Sequence, residues 1–282
     1  MTASDYPEPV RQLIDIGYPE RNWPDYPAKF GFTRAHIPDL IRLAEDTDLR
    51  FGEVTLEEED YLNQQDDDEL TRWSAQIHAW RALAQLKAEE AIPNLVGLLY
   101  QADEYDDDWA ADDLVKVFVQ IGPACIPALA AYLQDTGNDS YPRNIAIEAV
   151  SDIVEAFPET RAEGIAAIIP ALKNHKQNDE GTNGFLIYAL AEFKATEHID
   201  LIKEVFDTDN VDLMIMGDFE DVQIKMGLLK ARTTPRAFSI TTEREMKQAL
   251  AKFNKQITAI KKKEKKKHKQ EKKSRKKNRK RK

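Results

Sequence analysis

The pentapeptide His36-Ile37-Pro38-Asp39-Leu40 returns as Ala91-Ile92-Pro93-Asn94-Leu95, Cys125-Ile126-Pro127-Ala128-Leu129 and Ile168-Ile169-Pro170-Ala171-Leu172, and fades in His198-Ile199-Asp200-Leu201-Ile202. The intervals from Pro38 to Pro93, Pro127, Pro170 and the matching Asp200 are 55, 34, 43 and 30 residues. The last three lie in the range at which stacked helical hairpins repeat. A chain built this way makes one small unit several times and buries each unit's apolar face on the next. The expected fold class is therefore all-α, a superhelical solenoid of stacked helical hairpins.

The apolar residues between the copies agree with that reading. Trp73, Ile77, Trp80, Leu83 and Ala84 step by three and four, the chain turns through Leu86-Lys87-Ala88, and Ala91, Ile92, Leu95, Leu98 and Leu99 line an answering helix. Leu114, Val117, Phe118 and Ile121, a Gly122-Pro123 turn, and Ile126, Leu129, Ala130 and Leu133 repeat the plan. A third pair uses Ile145, Ala146, Val150 and Ile153, then Ile165, Ile168, Ile169 and Leu172; a fourth uses Phe185, Leu186, Leu190 and Phe193, then Ile199, Ile202, Val205 and Phe206. The recurring Pro falls in the first turn of each second helix, where its missing amide donor costs little and its fixed dihedral suits helix initiation. The longer step from Pro127 to Pro170 reads as an insertion around Thr136 to Pro142, placed on one edge of the stack where a partner can touch it.

These segments divide the chain into an irregular N-terminal cap (1–32), a helical repeat domain (33–230), a linker and terminal helix (231–260) and a Lys/Arg-rich tail (261–282). Val211 to Met216 reads as a short buried segment, Asp218 with Asp221 as a helix cap, and Thr242 with Glu245 as a capping box for a last helix. The tail holds 13 Lys and 3 Arg against Glu264 and Glu271, a net of +14, within a chain whose formal charge is -10. The preceding 260 residues thus carry a net of -24. Nothing apolar after Ile260 repays ordering, so disorder is the tail's expected free state.

Leu83 to Leu95 and Phe118 to Leu129 carry a resemblance to the HEAT-like repeat class, including its short bacterial type, the phycobilin lyase-like repeats; it covers roughly residues 69–207. The resemblance implies a solenoid of the HEAT or armadillo type serving as a scaffold, adaptor or binding subunit, with the first helix of each pair outside and the second on the concave side. It also leaves two alternatives, an enzyme-assisting, lyase-like subunit and a purely structural module.

Chemistry is sparse. The five His are scattered, no paired Cys or HExxH pattern is present, and no phosphate-cradling glycine spacing occurs, so no metal, cofactor or catalytic residue is expected. His78 is read as a partly buried, hydrogen-bonded helix residue, His175 as a solvated loop or helix-end residue, and Cys125 as inert. The acidic runs Glu57 to Asp60, Asp66 to Glu69 and Asp103 to Asp108 form either a solvated edge or a platform for a basic partner. Asp106, Asp107, Asp108 and Trp109 are the candidate protein-partner residues, Trp109 being either a packing wedge or an anchor.

Lys261, Lys262, Lys263, Lys265, Lys266, Lys267, Lys269, Lys272, Lys273, Arg275, Lys276, Lys277, Arg279, Lys280, Arg281 and Lys282 are the candidate polyanion contacts. Such a segment gives salt-sensitive, largely sequence-independent binding to RNA or DNA. It has no aromatic residue to stack bases, and it could instead fold back on the acidic body. With one Cys, no export signal and no run of eighteen apolar residues, the expectation is a cytoplasmic protein without integral membrane association. The expected job is that of a non-catalytic adaptor holding a protein partner on the helical repeats, with the tail adding nonspecific polyanion contact.

Overall fold

The computed structural model describes residues 6–51, 74–105 and 107–235. Every regular element among them is helical and there is no strand. The short helices α1 (Tyr26–Phe30), α2 (Ile37–Ala44) and α3 (Thr47–Phe51) precede α4 (Ala75–Gln85), α5 (Ile92–Gly97), α6 (Gln101–Glu104) and α7 (Asp108–Ile121). They are followed by α8 (Ile126–Gln134), α9 (Ser140–Ala156), α10 (Arg161–Lys173), α11 (Glu180–Glu192), α12 (Ile199–Phe206), α13 (Leu213–Met216) and α14 (Phe219–Met226).

Two rows organise the body. In the first, α4 packs on α7, α7 on α9, α9 on α11 and α11 on α14; in the second, α5 packs on α8 and α8 on α10. The apolar stripes meet between them: Trp80, Leu83, Leu95, Phe118, Leu129, Val150, Ile168 and Leu190 are all sealed from solvent. Each such side chain contributes on the order of 1.5–3 kcal/mol by leaving water. Gly164 lets α10 approach α9 closely, because a β-carbon there would sit 2.4 Å from Val154 Cγ2. Cys125 lies in the same interior, and burial pushes its thiol up to about 12.

Helices α2, α5, α8, α10 and α12 are each entered through a single 3₁₀ turn: Arg34–His36 before α2, Glu89–Ala91 before α5, Pro123–Cys125 before α8, Pro158–Thr160 before α10 and Thr196–His198 before α12. Pro38, Pro93 and Pro127 stand at the second residue after these turns, as their chemistry requires. Pro170 does not. It lies inside α10, whose start is Arg161, so the fourth pentapeptide copy is a coincidence of residues eight positions beyond the structural register. The matching position is Ala162, and counted there the spacing runs 34, 35 and 38 residues from Pro93 through Pro127 and Ala162 to Asp200. Pro170 deprives the Ala166 carbonyl of a helical donor, which is tolerable because Ala166 is exposed to water.

The insertion expected around Thr136 to Pro142 is likewise an ordinary link: residues 135–139 join α8 to α9, and Tyr141 and Pro142 are already helical. Its counterparts before α11 and α13 share an Asn followed closely by an Asp, and the asparagines bond across neighbours. Arg143 donates to Asn178 Oδ1 (2.9 Å) and to the Leu133 carbonyl (2.8 Å). Asn178 donates to the Ala171 carbonyl and to Asn183 Oδ1, both at 3.0 Å. Asn183 donates to the His175 and Asn210 carbonyls, and Asn210 to those of His175 and Asn178. This mesh draws the 174–179 loop inward, so His175 is 3% exposed rather than solvated. Asp179 and Asp212 then cap α11 and α13.

At the C-terminal end of the described chain, Asp218 and Asp221 form the expected capping box of α14, with Arg232 clamping both carboxylates. Residues 211–216 are less buried than their composition suggests: Val211 is covered, while Met214 is 62% exposed. The terminal helix expected after Thr242 lies outside the described residues.

Candidate functional site

The most elaborate polar arrangement lies on the outward side of α4 and α7, where the N-terminal segment from Gly17 to Tyr26 crosses as a strap. Three residues of α4 at helical spacing, His78, Arg81 and Gln85, reach its backbone. His78 Nε2 lies 2.9 Å from the Gly17 carbonyl, Arg81 Nη1 donates to the Glu20 carbonyl at 2.7 Å, and Gln85 Nε2 donates to the Pro24 carbonyl at 2.9 Å. Gln85 Oε1 in turn accepts from the Tyr26 amide at 2.8 Å. Since a carbonyl only accepts, His78 carries its proton on Nε2, and its Nδ1 accepts the Tyr26 hydroxyl at 2.6 Å. Burial drives the His78 pKa down to about 4 and pushes the Tyr26 phenol up to about 12.

Arg81 and Asp113 form an ion pair at 2.6 Å with side chains 1% and 2% exposed. Such a pair is retained only where geometry and further hydrogen bonds offset desolvation. Here the guanidinium also sits 5.1 Å from the Trp23 ring centre and 5.5 Å from that of Trp109. Trp109 meets Tyr18 of the strap edge-on at 5.6 Å. The site therefore holds a non-helical segment of chain by its carbonyls and by aromatic faces gathered around one buried cation.

The proposed partner residues separate in the structure. Asp107 is an N-cap, 7% exposed, accepting from the Trp109 amide at 3.0 Å. Asp108 is exposed in the first turn of α7, and Trp109 belongs to the strap clamp. Asp106, the acidic runs within 57–69 and the basic residues from Lys261 to Lys282 lie outside the described residues. His78 is the hydrogen-bonded helix residue its position suggested.

A second surface continues the same row. On α9, Glu148 has its pKa raised by burial and by the nearby Asp152 and Asp112 carboxylates; that of Asp152 is raised by burial and Glu155. On α11, Phe185 and Tyr188 are 37% and 39% exposed, the former against the expectation that it belonged to the apolar stripe. Tyr188 has its pKa raised chiefly by a hydrogen bond to Glu192, which pairs with Lys225 at 2.5 Å. A third feature, an open cleft of about 370 Å³, is lined by Glu45, Thr47, Pro93, Asn94, Gly97, Leu98 and Tyr100. Its one carboxylate, Glu45, accepts from Asn94 at 2.7 Å.

Among the described residues no group of three or more His, Cys, Asp or Glu side chains is arranged to hold a metal ion, and no single helix is long and apolar enough to cross a membrane. Comparison with known protein families, with curated proteins and with solved structures finds no match. Sequence reasoning missed Arg81, Asp113, Gln85 and the strap's aromatics as a unit. The available signal was a long polar residue at positions 78, 81 and 85 of a helix whose remaining residues, Gln76 apart, are Ala, Leu, Ile and Trp.

Proposed function

We propose that this chain is a non-catalytic adaptor, a HEAT-like helical solenoid that holds a protein partner on its surface while its basic tail adds nonspecific contact with polyanions. One observation carries the reading: the first helical row already holds a non-helical polypeptide segment, bound through main-chain carbonyls as well as through the inward-facing Pro19, Trp23 and Tyr26. The same side of α9 and α11 offers carboxylates and exposed aromatic rings of the kind that receive a partner. The 34- to 38-residue spacing of the 3₁₀ turns that enter α5, α8, α10 and α12 supports stacked hairpins as the scaffold.

The test is capture from cell extract by the full chain and by residues 1–260, at low and moderate salt, with and without nuclease. Retention of one protein by both forms after nuclease, and its loss on Phe185→Ala with Tyr188→Ala or on Glu148→Lys with Asp152→Lys, is the expected result. Retention only through residues 261–282, abolished by nuclease, removes the adaptor role from the helices.

A further inference from the structure

We propose that the strap face of α4 and α7 is an exchangeable peptide site, from which residues 17–26 withdraw in favour of a partner peptide segment carrying an aromatic residue at the place of Trp23. The proposal rests on the adaptor reading and names where and how a partner is held.

A segment that served only to cover the end of a helical stack would press apolar side chains onto an apolar stripe. The floor here adds four polar residues, His78, Arg81, Gln85 and Asp113, to the apolar packing of Tyr26 and Trp23. Three of these aim at Gly17, Glu20 and Pro24 carbonyls, groups that every polypeptide possesses. Donors directed at carbonyls do not distinguish this chain's own backbone from another's. Selectivity is left to the side-chain contacts, Trp23 against Arg81, Tyr18 against Trp109 and the Tyr26 hydroxyl on His78 Nδ1.

Much of the strap faces water. Tyr18 is 63% exposed and residues 20–22 and 25 are exposed, while Pro19 and Tyr26 are its inward anchors. The segment carries one main-chain donor bond to the floor, from Tyr26. Its advantage over a competitor is tethering, which amounts to a millimolar-range effective concentration for a short flexible link. Weakening the tethered copy at its aromatic contact should therefore let an untethered peptide in.

The fold supplies an internal clock for the measurement. Cys125 is the only cysteine and is wholly buried in the main interior, so its thiol reports opening of the body. A second thiol introduced by Pro19→Cys reports withdrawal of the strap. In the otherwise intact chain, the introduced thiol should react with a maleimide at least about 100-fold faster than Cys125 under native conditions. Adding a synthetic peptide of residues 15–27 should accelerate that reaction saturably. A labelled copy of the peptide should bind the Trp23→Ala chain at least about tenfold more tightly than the unsubstituted chain. Adding Arg81→Met to Trp23→Ala should abolish the binding.

Equal reaction rates at the two thiols would overturn the proposal, since the strap would then leave only when the body unfolds. Equal peptide binding with and without Trp23→Ala would overturn it as well. Should Trp23→Ala fail to fold, the two reaction rates decide. A single rate at both thiols together with a partner captured on α9 and α11 would sink exchange at the strap and leave the adaptor reading standing.

Discussion

Helices α4 and α11 end in the same way and are used in opposite ways. Lys87 and Lys194 both take the left-handed conformation, with φ of 51° and 50°, and are followed by buried Ala88 and Ala195. The amides of these alanines reach back to Leu83 and Leu190, five residues earlier in each case. Aligned on that turn, His78, Arg81 and Gln85 of α4 correspond to Phe185, Tyr188 and Glu192 of α11. The first three hold the strap; the second three are exposed. One helical frame thus presents a covered polar face at one end of the row and a bare aromatic and acidic face at the other. Burial of apolar residues positions both helices, and three outward residues decide what each helix meets.

Breaking the covered face should have the largest effect. Arg81→Leu leaves the Asp113 carboxylate buried without its partner and frees the Glu20 carbonyl; a loss of about 3–5 kcal/mol is expected in denaturant unfolding. Asp113→Asn should cost less, because an amide oxygen still accepts from the guanidinium.

Acid should separate the two faces next. The folded-state pKa of His78, about 4, lies below the ordinary value near 6.5. Between these values the unfolded chain binds more protons, so His78's contribution is complete above about pH 6.5 and is lost as pH falls towards 4. The expected loss is on the order of 2–3 kcal/mol, read as acid sensitivity that His78→Gln reduces. Glu148 and Asp152 act in the opposite sense. Their raised pKa values mean that the folded state takes up protons more readily as pH falls, which stabilises it.

Smaller effects belong to the bare face. Glu148→Gln with Asp152→Asn should raise the melting temperature slightly at pH 7, with no gain at pH 4.5. Phe185→Ser with Tyr188→Ser should change stability by less than about 1 kcal/mol, while Phe185→His, Tyr188→Arg and Glu192→Gln together should build the donor set of α4 on α11. If that triple variant binds a peptide of residues 15–27 no better than the parent, His78, Arg81 and Gln85 are insufficient without Asp113 and Trp109.

The helices were legible because their stripes are long and purely apolar: Leu114 to Ile121 and Ile126 to Leu133 were placed on their correct helices. The register was less so. Ile-Pro-Ala-Leu at 169–172 imitates the helix-start sequence of 126–129, and local residues do not reveal that α10 had begun at Arg161. His175 reads as solvated because polar residues in a loop look exposed until neighbouring loops close over them. The strap clamp was hidden for a related reason: its members are separated by up to 96 residues, from Gly17 to Asp113, and only folding makes them neighbours.

The asparagine mesh determines how far a disturbance travels. Asn178 receives Arg143 from α9, donates to a carbonyl of α10 and reaches Asn183 in α11, so one side chain couples three consecutive helices. In a chain of units touching only their neighbours, the range of cooperative melting depends on such couplings relative to each unit's own stability. A break at position 178 would shorten that range, allowing α11 and the helices after it to fray while the preceding pairs persist. The loops therefore set the size of the domain that melts as one.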